Sequence, residues 1–405
     1  MYLTLLRAPG AARLALAALV GRLPLGMQAL ALILLARDAT GSYGAAGAVA
    51  ASAALATAAF GIVQGRAVDR LGQTRVLLAC TGVYAASLVA LVAAAHAGAG
   101  VVALAALAAL SGASLPPLSA CMRALWPCLA GSAAPGPAPA GREARDRAAL
   151  IEAAYSLESI LQEGFYIAGP LIVGALVAAA SPAAAVLTMA GLSLSGTVLF
   201  ATSPLSRAVP GGRRTGSRTG ALASAGLRTL VLATVPVGLA FGALEVALPA
   251  FAEDQGNRAA AGLLFATWGV GSVVGGLWYG TRRWRRSPGE RLPLAAMGLA
   301  LGFLPLLLAG STGAMAALLP LAGLAIAPTF TTSYTLIAGL APPGTETEAF
   351  QLATSAVIVG VSLGNAAAGA IVDGAGVDAT LLAAAGAGAL AASVAAAGRG
   401  TLRPG

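Results

Sequence analysis

Ionisable side chains are scarce in this sequence, and the informative ones sit inside apolar runs. Over residues 149–175, Glu152, Tyr155, Ser156, Ser159, Glu163 and Tyr166 recur at a helical spacing. At roughly 100° per residue they fall within about a third of one helix circumference. Gln162 flanks that stripe, and Glu158 points roughly 120° away. Residues 347–371 repeat the pattern with Glu348, Gln351, Ser355 and Ser362. An ionised group at the centre of a membrane span costs about 2.5–3.5 kcal/mol on insertion scales, so such residues mark substrate or ion pathways. Two matching polar stripes facing a shared axis would line a water-filled cavity. Glu163, near the middle of its run, is the first candidate for a group that takes a proton from one side and releases it to the other. The alternative is a structural glutamate hydrogen-bonded to a neighbouring helix. Glu152 and Glu348 lie near the ends of their runs, where solvated helix-start carboxylates are ordinary.

Arg22 lies about 13 Å into the first apolar run, counted from Arg13 at about 1.5 Å per residue, and Glu158 about 12 Å into the fifth. Equal depth predicts an ion pair, which avoids two separate desolvation penalties. The other reading leaves Arg22 to bind an anionic or hydroxylated substrate through its planar donors. Glu245 sits toward the outer half of the seventh run, at the wrong depth for Arg22. It is a candidate for an external gate, for coupling, or for a structural role. Ser355 and Asn365 complete the candidate substrate and proton pathway with Arg22, Glu158, Gln162, Glu163, Tyr166 and Glu245.

The rest of the inventory excludes most other chemistry. All 24 basic residues are Arg. Without Lys there is no Walker A loop and no Schiff-base chemistry. One histidine, His96, rules out H-E-x-x-H and related zinc sites. Cys80, Cys121 and Cys128 have no metal-like spacing and imply no disulfide framework. An integral-membrane enzyme would need a His, Cys or Lys constellation, and a receptor would usually add a soluble domain, for which no segment is long enough. No cofactor, metal or nucleic-acid partner is expected.

The elements that must position these groups are membrane helices. Of the 405 residues, 58% are apolar and 10% charged, against roughly 25% charged in a soluble domain. Mean hydropathy is +0.85. Polar and Gly/Pro punctuation gives about twelve spans: 13–35, 44–65, 75–96, 99–121, 149–175, 182–202, 228–250, 259–280, 292–310, 313–337, 347–371 and 376–398. The first is too long for a secretory h-region and is read as a retained span. With the N-terminus cytoplasmic, 21 of the 24 Arg, Arg123 among them, fall in cytoplasmic segments or at their edges. Arg37 and Arg258 fall outside, and Arg22 lies within the first span. Both termini are therefore expected inside. Residues 130–147 and 203–226 read as flexible cytoplasmic linkers. Pro116-Pro117 in span four and Pro328 in span ten are candidate kinks.

The second linker lies near mid-chain, and the two sides of it align. An offset of 215 superposes Arg13 on Arg228, Gly61 on Gly276 and Gly65 on Gly280. An offset of 196 superposes Glu152 on Glu348, Ser159 on Ser355 and Gly164 on Gly360. The expected fold is an all-α integral membrane protein with twelve transmembrane helices in two pseudo-symmetric six-helix bundles. The bundles span residues 1–202 and 228–405, joined by a basic cytoplasmic linker over 203–227.

Between spans two and three stands Gly65-Arg-Ala-Val-Asp69-Arg70-Leu-Gly72-Gln-Thr-Arg75. This resembles the signature G-x-x-x-D-[RK]-x-G-[RK]-[RK] of the major facilitator superfamily, and with the span count, central linker and internal termini the resemblance covers the whole chain. Gln73 and Thr74 depart from the usual basic pair, and Arg75 is displaced by one position. The resemblance implies that this loop latches the halves in the outward-facing state, with Gly65, Asp69, Arg70, Gly72 and Arg75 as gating residues. Gly169-Pro170 partly matches the family's antiporter motif, whereas the Arg near the start of span four of proton-coupled drug exporters is missing. The chain is similar to sugar-efflux and drug-efflux permease-like members. The expectation is a monomeric, multi-pass protein of the cell membrane, with the lipid bilayer and a small-molecule substrate as its partners. It would export a small organic solute by proton antiport and alternating access, with the proton gradient as energy source. The alternative is proton-coupled uptake or facilitated diffusion on the same fold.

Overall fold

Runs of Ala, Leu and Val placed in hydrocarbon must satisfy their own backbone polar groups, and only helices do so within one segment. The computed structural model describes residues 10–132, 142–208, 220–257 and 260–402, with Leu5 and Arg7. Arg213, Arg214, Arg218, Arg258 and Arg403, and the middle of each expected linker, lie outside the described residues. Spans one to three are Ala11–Thr40, Tyr43–Leu71 and Gln73–His96. Spans five to eight are Arg142–Ala179, Pro182–Ala201, Ala225–Asp254 and Ala261–Thr281. Span nine is Pro288–Phe303, continued as a 3-10 turn over Leu304–Leu308. The helical run Glu346–Ala397 is far too long for one crossing and breaks at Gly376, whose φ of 82° and ψ of −177° suit glycine alone. It supplies spans eleven and twelve, so twelve spans are present among the described residues.

Spans four and ten are each built from two segments. Span four runs Val101–Ser114, is interrupted at Leu115-Pro116-Pro117, and resumes as Leu118–Ser132. Span ten runs Thr312–Gly323 and resumes as Ile326–Leu340. The breaks fall at equivalent places in the two halves, as the prolines predict for span four. In span ten the break precedes Pro328.

Two boundaries differ from expectation. Span four continues past residue 121, which carries Arg123 into the protein instead of leaving it at a cytoplasmic edge. Span five starts at Arg142, so residues 142–147 are helix and not flexible linker. Arg142/Asp146 and Glu143/Arg147 are opposite charges four apart, a pattern that supports a helix start without apolar residues. The linker between the halves carries the short helix Pro204–Arg207 and a 3-10 turn over Gly220–Ala223.

The helix contacts repeat across the halves. Spans two and four pack together as eight and ten do, and three packs on six as nine packs on twelve. Between the halves, two meets eleven as eight meets five. Two glycines show how closely the symmetry holds. A Cβ on Gly112 would overlap the carbonyl of Ala53, and one on Gly323 would overlap the carbonyl of Trp268. Ala53 and Trp268 are 215 positions apart, the offset that superposes Gly65 on Gly280.

Candidate functional site

Arg123, six residues beyond Pro117 in the second segment of span four, is the centre of the site. Its side chain is 4% exposed. One amino group donates to Gln162 Oε1 of span five at 2.6 Å and the other to Thr354 Oγ1 of span eleven at 3.2 Å. The guanidinium lies 4.2 Å from the ring centroid of Tyr334 in span ten, a cation–π distance. Tyr334 OH donates to the same Gln162 oxygen at 3.1 Å. Arg123 therefore joins both halves at one point.

Behind it lies a second arginine. Arg22 of span one donates to both carboxylate oxygens of Glu158, and Trp126 Nε1 donates to Glu158 Oε2 at 3.2 Å. Arg123 Nε stands 3.6 Å from Glu158 Oε1, yet it has no hydrogen-bond partner. Matched depth places Arg22 and Glu158 together, and Glu158 is wholly buried. Two guanidiniums thus share one carboxylate.

In front of Arg123 opens a cavity of about 100 Å³ between the halves. Gln162, Tyr166, Tyr334, Gln351 and Ser355 give it polar edges, and Leu25, Phe165, Phe330 and Ile358 give it apolar walls. The interrupted backbone of Pro116 and Pro117 also lines it, which is where membrane proteins tolerate irregular backbone.

One end of the cavity is sealed by two related contacts. Asp69 accepts from the backbone N–H of Thr347 at 3.1 Å and of Glu348 at 2.9 Å, and so caps span eleven from the other half. Arg66 Nε donates to Glu348 Oε1 at 2.9 Å, and Gly65 lies against the Glu348 backbone, where a Cβ would not fit. On the opposite side Arg291 of span nine binds both oxygens of Glu152 in span five. The same arginine reaches Tyr279 OH at 2.5 Å, and Tyr279 shares a 2.6 Å hydrogen bond with Thr332. Glu152 and Glu348 are the residues that the repeat aligns. Each is held by an arginine of the other half. At the far end Tyr166 is 48% exposed and Glu245 is exposed.

The sequence matches no protein-family model and no curated protein. Solved structures match over nearly the whole chain. A bacterial homologue of the iron transporter ferroportin, outward-facing and soaked with iron, is similar at a TM-score of 0.74 with 14% identity, over 96% of this chain and 98% of that one. The human organic anion transporter MFSD10 gives 0.68 and 18%, over 95% and 99%. The fucose:proton symporter FucP, a major facilitator superfamily transporter of E. coli in the outward conformation, gives 0.69 and 16%, over 94% and 98%. The chain has the major facilitator fold.

Placed in the major facilitator fold, the sequence-derived candidates separate into groups. Gln162, Tyr166 and Ser355 line the cavity, and Ser355 also donates to the Ala58 carbonyl of span two at 2.9 Å. Most of the span-five stripe packs on the other half instead of lining water. Ser156 donates to the Gly276 carbonyl at 2.6 Å, and Ser159 meets Thr331 at 3.3 Å. The stripe lies at the interface, and the closed end leaves no room for solvent there. Glu163 is outside the cavity lining. The Ser272 hydroxyl of span eight is its polar neighbour, without a hydrogen bond of normal geometry. Asn365 donates to Glu245 at 3.3 Å, away from the cavity.

Among the loop residues, Gly72 has φ 88° and lets span three start without a linker. Arg70 and Arg75 are exposed, and the arginine that crosses to the other half is Arg66. Gln73 and Thr74, which replace the usual basic pair, anchor span three. Gln73 accepts from Ser206 at 3.3 Å, and Thr74 donates to the Ala201 carbonyl at 3.0 Å. Gly169 and Gly26 are in backbone contact, so the Gly169-Pro170 element fits span five against span one.

Arg123, Arg291 and Tyr279 are functional candidates that sequence reading left out. Leu118-Ser-Ala-Cys-Met precedes Arg123 and Ala-Leu-Trp126 follows it, a pattern that fits a helix ending at Arg123 as well as one that carries it inward.

Proposed function

We propose that this multi-pass membrane protein is a proton-coupled secondary transporter. It exports a small organic solute by alternating access in exchange for protons taken up at Glu163. The observation that carries this reading is the cavity between the halves, closed at one end by the Asp69 and Arg66 contacts to span eleven, by the Arg291–Glu152 pair and by Tyr155 packed on Tyr334 and Phe350. Contacts of that kind can open and re-form as the halves rock. The Arg asymmetry supports a cytoplasmic location for both termini and for the sealed end, which makes this the outward-open state in the cell membrane. Glu163 follows Gln162, which lines the cavity, and itself stands off the wall, so it can take a proton without touching the solute. The cavity is complete within one chain, which suits a monomer. The similar structures are an organic anion transporter, a bacterial homologue of an iron transporter and a fucose:proton symporter. That range supports solute transport and leaves the solute to the side chains of this cavity.

The surplus guanidinium favours a second reading, co-transport. An anion bound at Arg123 neutralises the guanidinium and a proton bound at Glu163 neutralises the carboxylate, so both remove buried charge and would cross in the same direction. The test is purified protein in liposomes with an imposed pH gradient and a panel of labelled sugars, amino acids and organic acids. Accumulation in the compartment with more protons supports exchange. Accumulation opposite supports co-transport. No gradient-dependent movement of any solute overturns the proposal.

A further inference from the structure

Resting on the transport reading, we infer that Arg123 is the receptor for a carboxylate, and that the solute is a small organic acid with an apolar body. Three observations converge. The first is charge. Arg22 and Arg123 are both almost fully buried, and Glu158 is the carboxylate in contact with them. Glu163, the other acid at this level of span five, lies outside the cavity lining. A buried charge without a counter-ion is costly, and a bound anion removes the imbalance.

The second is geometry. Thr354 and Gln162 each engage one amino group of Arg123, and the Tyr334 face fixes the plane of the guanidinium. Donors remain on both amino groups, and a fixed planar fork matches a carboxylate in two parallel hydrogen bonds. Arg22 offers no such edge, because Glu158 and the Ala18 carbonyl hold it. The third is the enclosure. Leu25, Phe165, Phe330, Val357 and Ile358 face the same space. An apolar cavity of about 150 Å³ accommodates benzene, so about 100 Å³ suits an acid with few carbons or the end of a larger one.

Gln162 belongs to one half, and Thr354 and Tyr334 to the other. A carboxylate that draws Arg123 toward itself loosens one of these bonds, and so bears directly on how the halves are held together.

The test is equilibrium binding to the full chain in detergent. The probes are acetate, butyrate, phenylacetate and benzoate, each paired with its neutral amide and its amine. At least one acid should bind tenfold or more tightly than its own amide and amine, a gap of about 1.4 kcal/mol. Arg123→Gln should bring that acid to within about threefold of its amide while amide binding stays as it was, which shows an intact cavity. If Arg123→Gln does not fold, Thr354→Val carries the test, since it leaves the buried charges in place. It should weaken the acid about threefold and the amide not at all. The inference is overturned if no acid outbinds its amide, if the preference survives in the folded Arg123 variant, or if the Thr354 variant leaves it undiminished. Gradient-driven movement of some solute without acid preference would remove the carboxylate assignment alone. Acid preference in a chain that moves nothing across liposomes would remove the transport reading alone.

Discussion

Asp69 caps the helix whose third residue is Glu348, with the carboxylate in one half of the molecule and the helix in the other. Both Asp69 oxygens are used, one on the Thr347 N–H and one on the Glu348 N–H. An N-terminal cap of this type contributes about 1–2 kcal/mol, and the positive end of the helix dipole adds to it. Asp69→Ala should shift the balance between sealed and opened ends by about 5- to 30-fold. Turnover in liposomes should fall by about tenfold, while solute affinity in detergent stays within about threefold. Asp69→Asn keeps one acceptor and should fall between the two. Loss of binding in either variant would argue against a gating role.

The sequence exposes this latch because it is local: Gly65 and Asp69 lie in the last two turns of span two, and Gly72 caps that helix. The Arg22–Glu158 pair is also legible, since depth in a helix follows from counting residues. Arg123 and Arg291 are not, and for a common reason. An arginine near the end of an apolar run looks the same whether the helix stops before it or carries it inward. For Arg123 the interruption at Pro116-Pro117 decides the matter, because the helix restarts there and runs on to Ser132. For Arg291 the decision rests with Glu152 and Tyr279, which the fold brings near. The packing of spans one and five is equally hidden, since the backbone contact of Gly26 with Gly169 depends on two distant glycines.

The paired glycines make the internal symmetry measurable. Gly112→Ala and Gly323→Ala each place a methyl on a facing backbone carbonyl, which cannot yield as a flexible side chain can. Both should lose about 1–3 kcal/mol of stability, seen as lower thermal midpoints in detergent. Gly47→Ala is the control, because nothing lies within 4 Å of its added Cβ. It should be neutral, or more stable by about 0.5–1 kcal/mol from helix propensity. A neutral result at Gly112 or Gly323 would mean that the spans pack less closely than described.

Glu158 is the counter-ion for a buried arginine, so its removal should cost more than an exposed charge would. Glu158→Gln leaves two guanidiniums without a carboxylate and should destabilise by about 3–5 kcal/mol. The double substitution Arg22→Met with Glu158→Leu leaves one guanidinium, Arg123, without a carboxylate in place of two and should recover part of that loss. Trp126 would then lack its acceptor, which holds the recovery short of complete. Stability of the two variants can be compared by thermal unfolding in one detergent. Equal losses in both would show that the pair does not behave as a coupled unit.

Glu163 is the residue on which coupling is expected to turn, and its position separates coupling from binding. It lies off the cavity wall, whereas Arg123, Gln162 and Tyr166 lie on it. Glu163→Gln keeps the shape and the hydrogen-bonding capacity of the side chain but cannot release a proton. Exchange of labelled for unlabelled solute across liposomes should therefore continue at a rate within about threefold of the parent. Accumulation driven by a pH gradient should vanish. Ser272→Ala removes the hydroxyl that faces Glu163 and should alter the pH dependence of accumulation while leaving exchange untouched. Accumulation that persists in Glu163→Gln would move the proton site elsewhere. Glu245 would be the next residue to test, because it is exposed at the open end and accepts from Asn365.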